Sequence, residues 1–407
     1  MSITPKKFPY LIIIVAALGY FVDIYDLILF NVVKKDSLMA LGYSGIDLQR
    51  QGIYLFNMQM TGMLIGGMLW GILGDIKGRL KVLFGSILMY SLANIANAFV
   101  TNIDAYAIVR LLAGIGLAGE LGAGITIVAE TMSKENRGYG TMIIVTFGAL
   151  GAVLAALIGD KFNWKTAYWI GGLLGLSLLI MRIGILESKM YKEIKHSRIK
   201  KGAFHQLFTN YKRFFKYLSC IAIGLPVWFV IGVPIALAEL FAKEIGVNGK
   251  ISTGNAIMYA YIGLSVGDLL SGLLSQLFKS RKKVVLLYLL LTIFFLSLFF
   301  FADNISLFYF NTLCFLLGAA TGYWALFVTI ASEQFGTNIR STVTTTVPNF
   351  VRGAVVPITL GFQWMNKQFN VVYSALAIGA ICIMLAFIAL INMKETFNKE
   401  LDYIEVL

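Results

Sequence analysis

The sequence predicts an all-α polytopic membrane protein, with twelve transmembrane helices in two pseudo-symmetric six-helix bundles. Three observations predict it. Of 407 residues, 58% are hydrophobic and only 14% charged, whereas a soluble globule carries about a quarter charged, and the mean hydropathy is +0.79. A basic break from Glu187 to Lys216 interrupts this apolar sequence, with nine lysines and arginines between Lys189 and Lys216. The 186 residues before the break and the 191 after it each have room for six spans of about 20 residues. The chain therefore divides into an N-terminal bundle (1–187), a cytoplasmic basic linker (188–216), a C-terminal bundle (217–393) and a cytoplasmic tail (394–407).

In order, the apolar runs place spans at 9–33, 52–75, 82–101, 104–131, 138–160 and 166–187. After the linker they fall at 217–243, 254–278, 284–302, 306–331, 340–362 and 370–393. At about 1.5 Å per residue, nearly all reach across roughly 30 Å of hydrocarbon. The first run has no small-residue cleavage site and continues into Asp23 and Asp26, so it reads as a retained helix rather than a signal peptide.

Charge placement orients the spans. Lys77, Arg79, Lys81, Lys134, Arg137, the linker, Lys279 to Lys283 and Arg340 would lie inside. The outside connections 102–103 and 303–305 hold no basic residue. The excess of 34 basic over 21 acidic residues, net +13, thus reads as positive-inside bias and contact with anionic lipid, not as a nucleic-acid surface. Both termini are expected in the cytoplasm, at a bacterial cytoplasmic (inner) membrane. Cys220, Cys314 and Cys382 fall in different spans, which argues against a disulfide framework or a thiolate metal site. No cofactor or metal is expected. Nor is an enzyme, because HExxH, GxSxG and P-loop motifs are missing from the sequence.

The strongest short motif joins spans 2 and 3: Gly71-Ile-Leu-Gly-Asp75-Ile-Lys77-Gly78-Arg79-Leu-Lys81. Glycines allow a sharp turn and close helix approach, and Asp75 can meet a helix terminus or an arginine. Gly272-Leu-Leu-Ser-Gln276-Leu-Phe-Lys279-Ser280-Arg281 is a degraded second copy, which predicts an asymmetric gate. Glu130 precedes Arg137, and Glu333 precedes Arg340, by the same seven residues. A role in closing the inner gate fits both pairs better than substrate binding.

The Gly-x-x-x-Asp core followed by Gly78-Arg79 resembles the signature loop of the major facilitator superfamily, with Ile76 where a basic residue is usual. Span 4 extends the resemblance: Arg110 and Gly114, Gly116, Gly119-Glu120, then Glu130 and Arg137-Gly138, are similar to the sugar-porter and metabolite-proton symporter branches. Asp23 and Asp26, three residues apart on one helix face, resemble the first-helix pattern of proton-coupled aromatic-acid transporters.

The acids at this depth should face a cavity, a basic partner or another helix. Asp23, Asp26 and Glu120 are the proton-coupling candidates, since both histidines, His196 and His205, lie in the linker. Substrate-binding candidates are Tyr25, Arg110, Tyr323, Trp324, Asn349 and Arg352, the arginines suggesting an anionic or zwitterionic ligand. Asp268 either holds helices together or matches a Gly-Asp position of symporters, and Pro226 and Pro234 predict a bend in span 7. What the resemblance implies is alternating access and proton-coupled uptake of a small organic acid. Proton-driven export of a drug, amino acid or siderophore is the alternative, and a receptor without flux is a third reading. The expected partners are a small-molecule substrate, a proton and membrane lipids, with a monomer as the working unit.

Overall fold

The computed structural model describes residues 9–133, 136–181, 202, 204–249, 251–400 and 403–404. Residues 188–201 of the basic linker, with His196, lie outside the described residues. The first half folds as α1 (Pro9–Ala40), α2 (Gly45–Lys77), α3 (Arg79–Asn97), α4 (Ile103–Leu117), α5 (Glu120–Thr131), α6 (Arg137–Lys161) and α7 (Trp164–Met181). The second half comprises α8 (Tyr211–Ala222), α9 (Leu225–Val230), α10 (Ala238–Glu244), α11 (Thr253–Leu277) and α12 (Arg281–Phe300). It continues with α13 (Leu307–Ala320), α14 (Trp324–Gln334), α15 (Arg340–Gly353), α16 (Val355–Met365) and α17 (Val371–Asn392).

Ten of the described helical stretches are long and apolar enough to cross a bilayer. The other two expected spans are α2, with 33 residues, and the α15–α16 pair, with 14 and 11 residues hinged at Ala354. Their sequences are less apolar because their glycines, threonines and Arg352 face protein rather than lipid. The chain is an all-α integral membrane protein.

Four expected spans are divided: span 10 at 321–323 into α13 and α14, span 11 at Ala354, and spans 4 and 7, the last two for clear local reasons. Span 4 divides at Ala118-Gly119 into α4 and α5, which leaves Glu120 at the first turn of α5, where helix N-terminal amides favour an acid. Span 7 begins at Tyr211, turns at Ile223-Gly224 before Pro226, and winds as a π turn over Ile231–Ile235 around Pro234. A proline cannot donate to the ladder, so the wider turn re-satisfies it. α1 and α2 run several residues beyond the expected hydrophobic limits.

Close packing repeats in the two halves. A side chain at Gly62 or Gly66 would run into the α4 backbone at Leu111 and Ile115. Gly263 and Gly267 of α11 stand in the same relation to Phe315 and Ala319 of α13. Small residues let helix backbones touch where lipid supplies no hydrophobic drive. Between the halves, α2 packs on α15 and α6 on α11. The turns after α2 and α11 also correspond: Gly78 has φ +106 and Lys279 φ +48. The non-glycine in the second copy accepts the left-handed conformation at some cost.

Candidate functional site

At one end of the molecule, the Asp75 end, two acid–base clusters close the seam between the halves. Glu130 Oε1 receives Arg79 Nη2 at 2.8 Å from its own half and Arg340 Nη1 at 3.4 Å from the other. Glu333 Oε1 receives Arg281 Nη2 at 3.4 Å from its own half and Arg137 Nε at 3.0 Å from the other. Arg137 and Arg340 therefore each cross the seam to the acid of the opposite half, so the seven-residue pairs of the sequence exchange partners, while Arg79 and Arg281 hold the acid of their own half. Asp75 is 3.4 Å from Arg79 and accepts from the Ser341 and Thr342 amides at 3.2 and 2.8 Å and from Thr342 Oγ1 at 2.6 Å. It thus caps α15 from across the seam, satisfying amides that a helix start leaves open. Gln276 lies against Gly138 at the start of α6, and its Nε2 has no hydrogen-bond partner among the described residues. At the position of the motif acid, the first copy thus supplies a charged clasp through Asp75 and the second a neutral contact through Gln276. Gly71 gives Thr342 room at this seam, its carbonyl accepting from Thr342 Oγ1 at 3.2 Å.

Midway along the seam lies a cavity of about 20 Å³, bordered by Tyr20, Ile24, Trp228, Tyr261, Leu264 and Trp324 among others. That volume holds about one water and no metabolite. Its walls are aromatic: Trp228 and Trp324 meet edge-on with centroids 6.2 Å apart. Behind them stands the Arg352 guanidinium, 5.7 Å from each indole ring. Arg352 Nη2 donates to Tyr20 Oη at 3.2 Å and lies 3.9 Å from Asp23 Oδ2, and Trp324 Nε1 also donates to Tyr20 Oη, at 3.1 Å. Arg352 and Asp23 are fully buried. An ion pair at this depth is held by mutual neutralisation, and neither charge tolerates loss of the other without a substitute. Asn349 braces the arginine, its Oδ1 accepting at 3.4 Å while its Nδ2 donates to the Ala118 and Thr345 carbonyls. Asp268 accepts from the Ala325 amide at 2.8 Å, so it caps α14 and fixes Trp324.

Other sequence candidates sit inside the first half. Asp26 and Asn94 both lie against Gly171 of α7, away from the aromatic cavity. Tyr25 donates to the Ala167 carbonyl at 2.9 Å. Arg110 donates to Gln59 Oε1 and stacks 4.6 Å over Phe30, near the Tyr106–Tyr168 hydroxyl pair at 2.7 Å. Tyr323 donates to the Ile223 carbonyl at 2.9 Å and packs on Tyr288, not on the cavity. Glu120 is buried at the start of α5. The aromatic cavity residues that the sequence did not single out as ligand contacts are Tyr20, Trp228 and Tyr261. A signal was present for two of them: Tyr20 precedes Asp23 by three residues, on the same helix face, and Trp228 follows the helix-opening Pro226.

The family model of the Major Facilitator Superfamily matches residues 16–356. The chain belongs to this superfamily. It is similar to a candidate niacin/nicotinamide transporter, NiaP, of Bacillus subtilis (strain 168), with 28% identity over 368 residues, 86% of this chain and 88% of that protein. It is also similar to the 3-(3-hydroxy-phenyl)propionate transporter of Escherichia coli (strain K12), 26% identical over 60% of this chain and 64% of that one. A gallate transporter of Pseudomonas putida is 36% identical over 30% of this chain and 28% of that protein. The solved structure of the proton:xylose symporter XylE, bound to 6-bromo-6-deoxy-D-glucose, superposes with a TM-score of 0.77 over 98% of both chains at 16% identity, a likeness of fold. This major facilitator chain is a secondary transporter of small organic metabolites and not an enzyme.

Proposed function

We propose that this transporter takes up a planar aromatic or heteroaromatic monocarboxylate together with a proton. The observation that carries this reading is the Arg352 guanidinium set behind an aromatic box of Tyr20, Trp228, Tyr261 and Trp324. Flat rings stack on such walls, and a carboxylate is the natural guest of a buried guanidinium. The names of the relatives, which refer to niacin, gallate and a phenylpropionate, support the same ligand class.

In the proposed cycle the two halves rock about the seam, with the Asp75 end in the cytoplasm. Separation at the opposite end enlarges the cavity and brings Arg352 to the entering ligand. Protonation of Asp23 frees Arg352 from its carboxylate, and the substrate carboxylate takes its place, so the buried charge stays balanced. The gate then opens by parting Arg137 from Glu333, Arg340 from Glu130, and Asp75 from the start of α15. The working unit is one chain, since both walls of the pathway come from it.

Proteoliposome uptake tests the proposal. Labelled nicotinate, benzoate and gallate, with xylose as comparison, are offered under separately imposed pH and voltage gradients. Accumulation of a ring carboxylate driven from the acidic side supports it. Export towards the acidic side, or preference for the sugar, rejects it.

A further inference from the structure

Outside the transport pathway, a cleft of about 1070 Å³ opens between the start of α8 and the end of α17. Its floor is apolar and open to the lipid side: Phe215, Leu218, Leu385 and Ile388 are 48%, 39%, 41% and 51% exposed. Its rim is basic, with Lys212, Arg213, Lys216, Lys394 and Lys399, and among the described residues no acid lines it. Three of the five already reach neutral acceptors: Arg213 the Gln206 carbonyl, Lys216 the Gln334 carbonyl and Lys399 the Tyr403 hydroxyl. The Lys212 and Lys394 ammonium groups have no hydrogen-bond or ion-pair partner among the described residues, and both are exposed. Glu395, the neighbouring acid, is turned away onto Ser280 and the Arg281 and Lys282 amides. The amides at the start of α8 are taken by the Asn210 side chain, so the rim attracts through its side chains alone.

We infer that this cleft is a binding site for an anionic diacyl phospholipid, with the phosphate at Lys212 and Lys394 and an acyl chain along Leu218, Leu385 and Ile388. Depth and chemistry agree. The cleft sits where two membrane-crossing helices end, so the basic rim lies at headgroup level and the apolar floor below it in hydrocarbon. A soluble anion would use the rim and leave the floor uncovered. A zwitterionic lipid would cover the floor but bring its own cation to the rim. An anionic lipid satisfies both. The site also adjoins the seam: Gln334, whose carbonyl holds Lys216 and whose Nε2 donates to the Lys394 carbonyl at 3.2 Å, follows Glu333 directly. Lipid occupancy therefore stiffens the backbone that carries one of the gate acids.

The test is native mass spectrometry and thermal unfolding of the full chain in phosphatidylcholine nanodiscs titrated with phosphatidylglycerol. The expected result is retained phosphatidylglycerol and a raised unfolding midpoint. Both should weaken in a Lys212→Gln/Lys394→Gln double variant, by about 30-fold in lipid affinity if each charge acts as an interfacial lysine does. A Lys243→Gln/Lys367→Gln control, with exposed lysines at the opposite end, should behave as wild type. Equal binding by the first double variant, no preference over phosphatidylcholine, or equal competition by soluble glycerol phosphate would each overturn the inference.

Discussion

Arg137 of the first half donates to Glu333 of the second at 3.0 Å, while Arg340 of the second half lies 3.4 Å from Glu130 of the first. The two contacts are reciprocal copies of one arrangement, and both are buried. Opening this end requires breaking both, along with the Asp75 cap on α15.

Removing one member should therefore bias the molecule towards opening at the Asp75 end. For Arg137→Ala, loss of a buried partner costs on the order of 3 kcal/mol, roughly 100-fold in the closed-to-open ratio. Cysteine-labelling rates at seam positions check this, with the rate at that end expected to rise. A charge-exchanged Arg137→Glu/Glu333→Arg variant should recover part of the closed population.

Asp75→Asn tests the asymmetry between the two gate motifs. It retains an acceptor for the Ser341 and Thr342 amides but loses the charge that favours a helix start, worth about 0.3–2 kcal/mol. Labelling at the Asp75 end should rise less than in Arg137→Ala. Gln276→Ala, which removes no charge, should change labelling least.

Arg352 should dominate ligand affinity. Arg352→Ala is expected to weaken binding of a ring carboxylate by about 2–3 kcal/mol, and Arg352→Lys to recover only part of that, since a point charge replaces a planar fork. Binding to the purified, folded variants is the measurement. Unchanged affinity in both would count against direct contact.

Coupling is proposed to reside in Asp23. Asp23→Asn, which mimics the protonated acid, should keep substrate exchange between equal pools yet lose accumulation driven by a pH gradient. Counterflow and gradient-driven uptake, measured on the same vesicles, separate these outcomes. Loss of both would place Asp23 in the scaffold instead.

Beyond α17, Glu395 clamps the following segment onto the start of α12. Partial burial alone would raise its pKa, but hydrogen bonds from Ser280 and the Arg281, Phe397 and Thr396 amides outweigh it and hold the carboxyl below the usual 4.5. An acid whose pKa is lowered by docking stabilises the docked form above its free pKa, and that contribution disappears as pH falls through the docked value. The clamp should therefore hold at neutral pH and release in acid below about pH 4.5. Hydrogen exchange at the Arg281 and Lys282 amides reports it, and Glu395→Gln should exchange faster at pH 7 with little further change on acidification.

The apolar runs carried the span pattern because a bilayer demands that every crossing segment satisfy its own backbone within about 20 residues. That constraint is local, so hydropathy alone located most helices. It is also why the bend at Pro234 stood out as a proline in an otherwise regular span, whereas the break at Gly119 came only with the structure. The motif residues Asp75, Arg79, Glu130, Arg137, Glu333 and Arg340 were legible as a related set for a similar reason, as charges at span ends repeated at fixed spacing, and the structure gathers them at one end of the seam.

Partnership was not legible. Arg137 and Glu333 are 196 residues apart, and only the packing of α6 and α14 on opposite sides of one seam assigns each acid to the arginine of the other half. The same holds for the cavity. Asp23 and Asp26 lie three residues apart, yet α1 turns one towards Arg352 and the other towards Asn94 and α7. Sequence by itself determined that this is a helical membrane protein and where most of its spans run, whereas the burial of Arg79, Arg137, Arg281 and Arg340, read from sequence as charges of the inside connections, came with the structure. Tertiary structure decided which helix face meets which, and so selected Tyr20, Trp228 and Tyr261 with Trp324 as the cavity wall. The physical reason is that helix periodicity fixes the direction of a side chain relative to its own axis, whereas rotation about that axis is set by packing against neighbours far away in the chain.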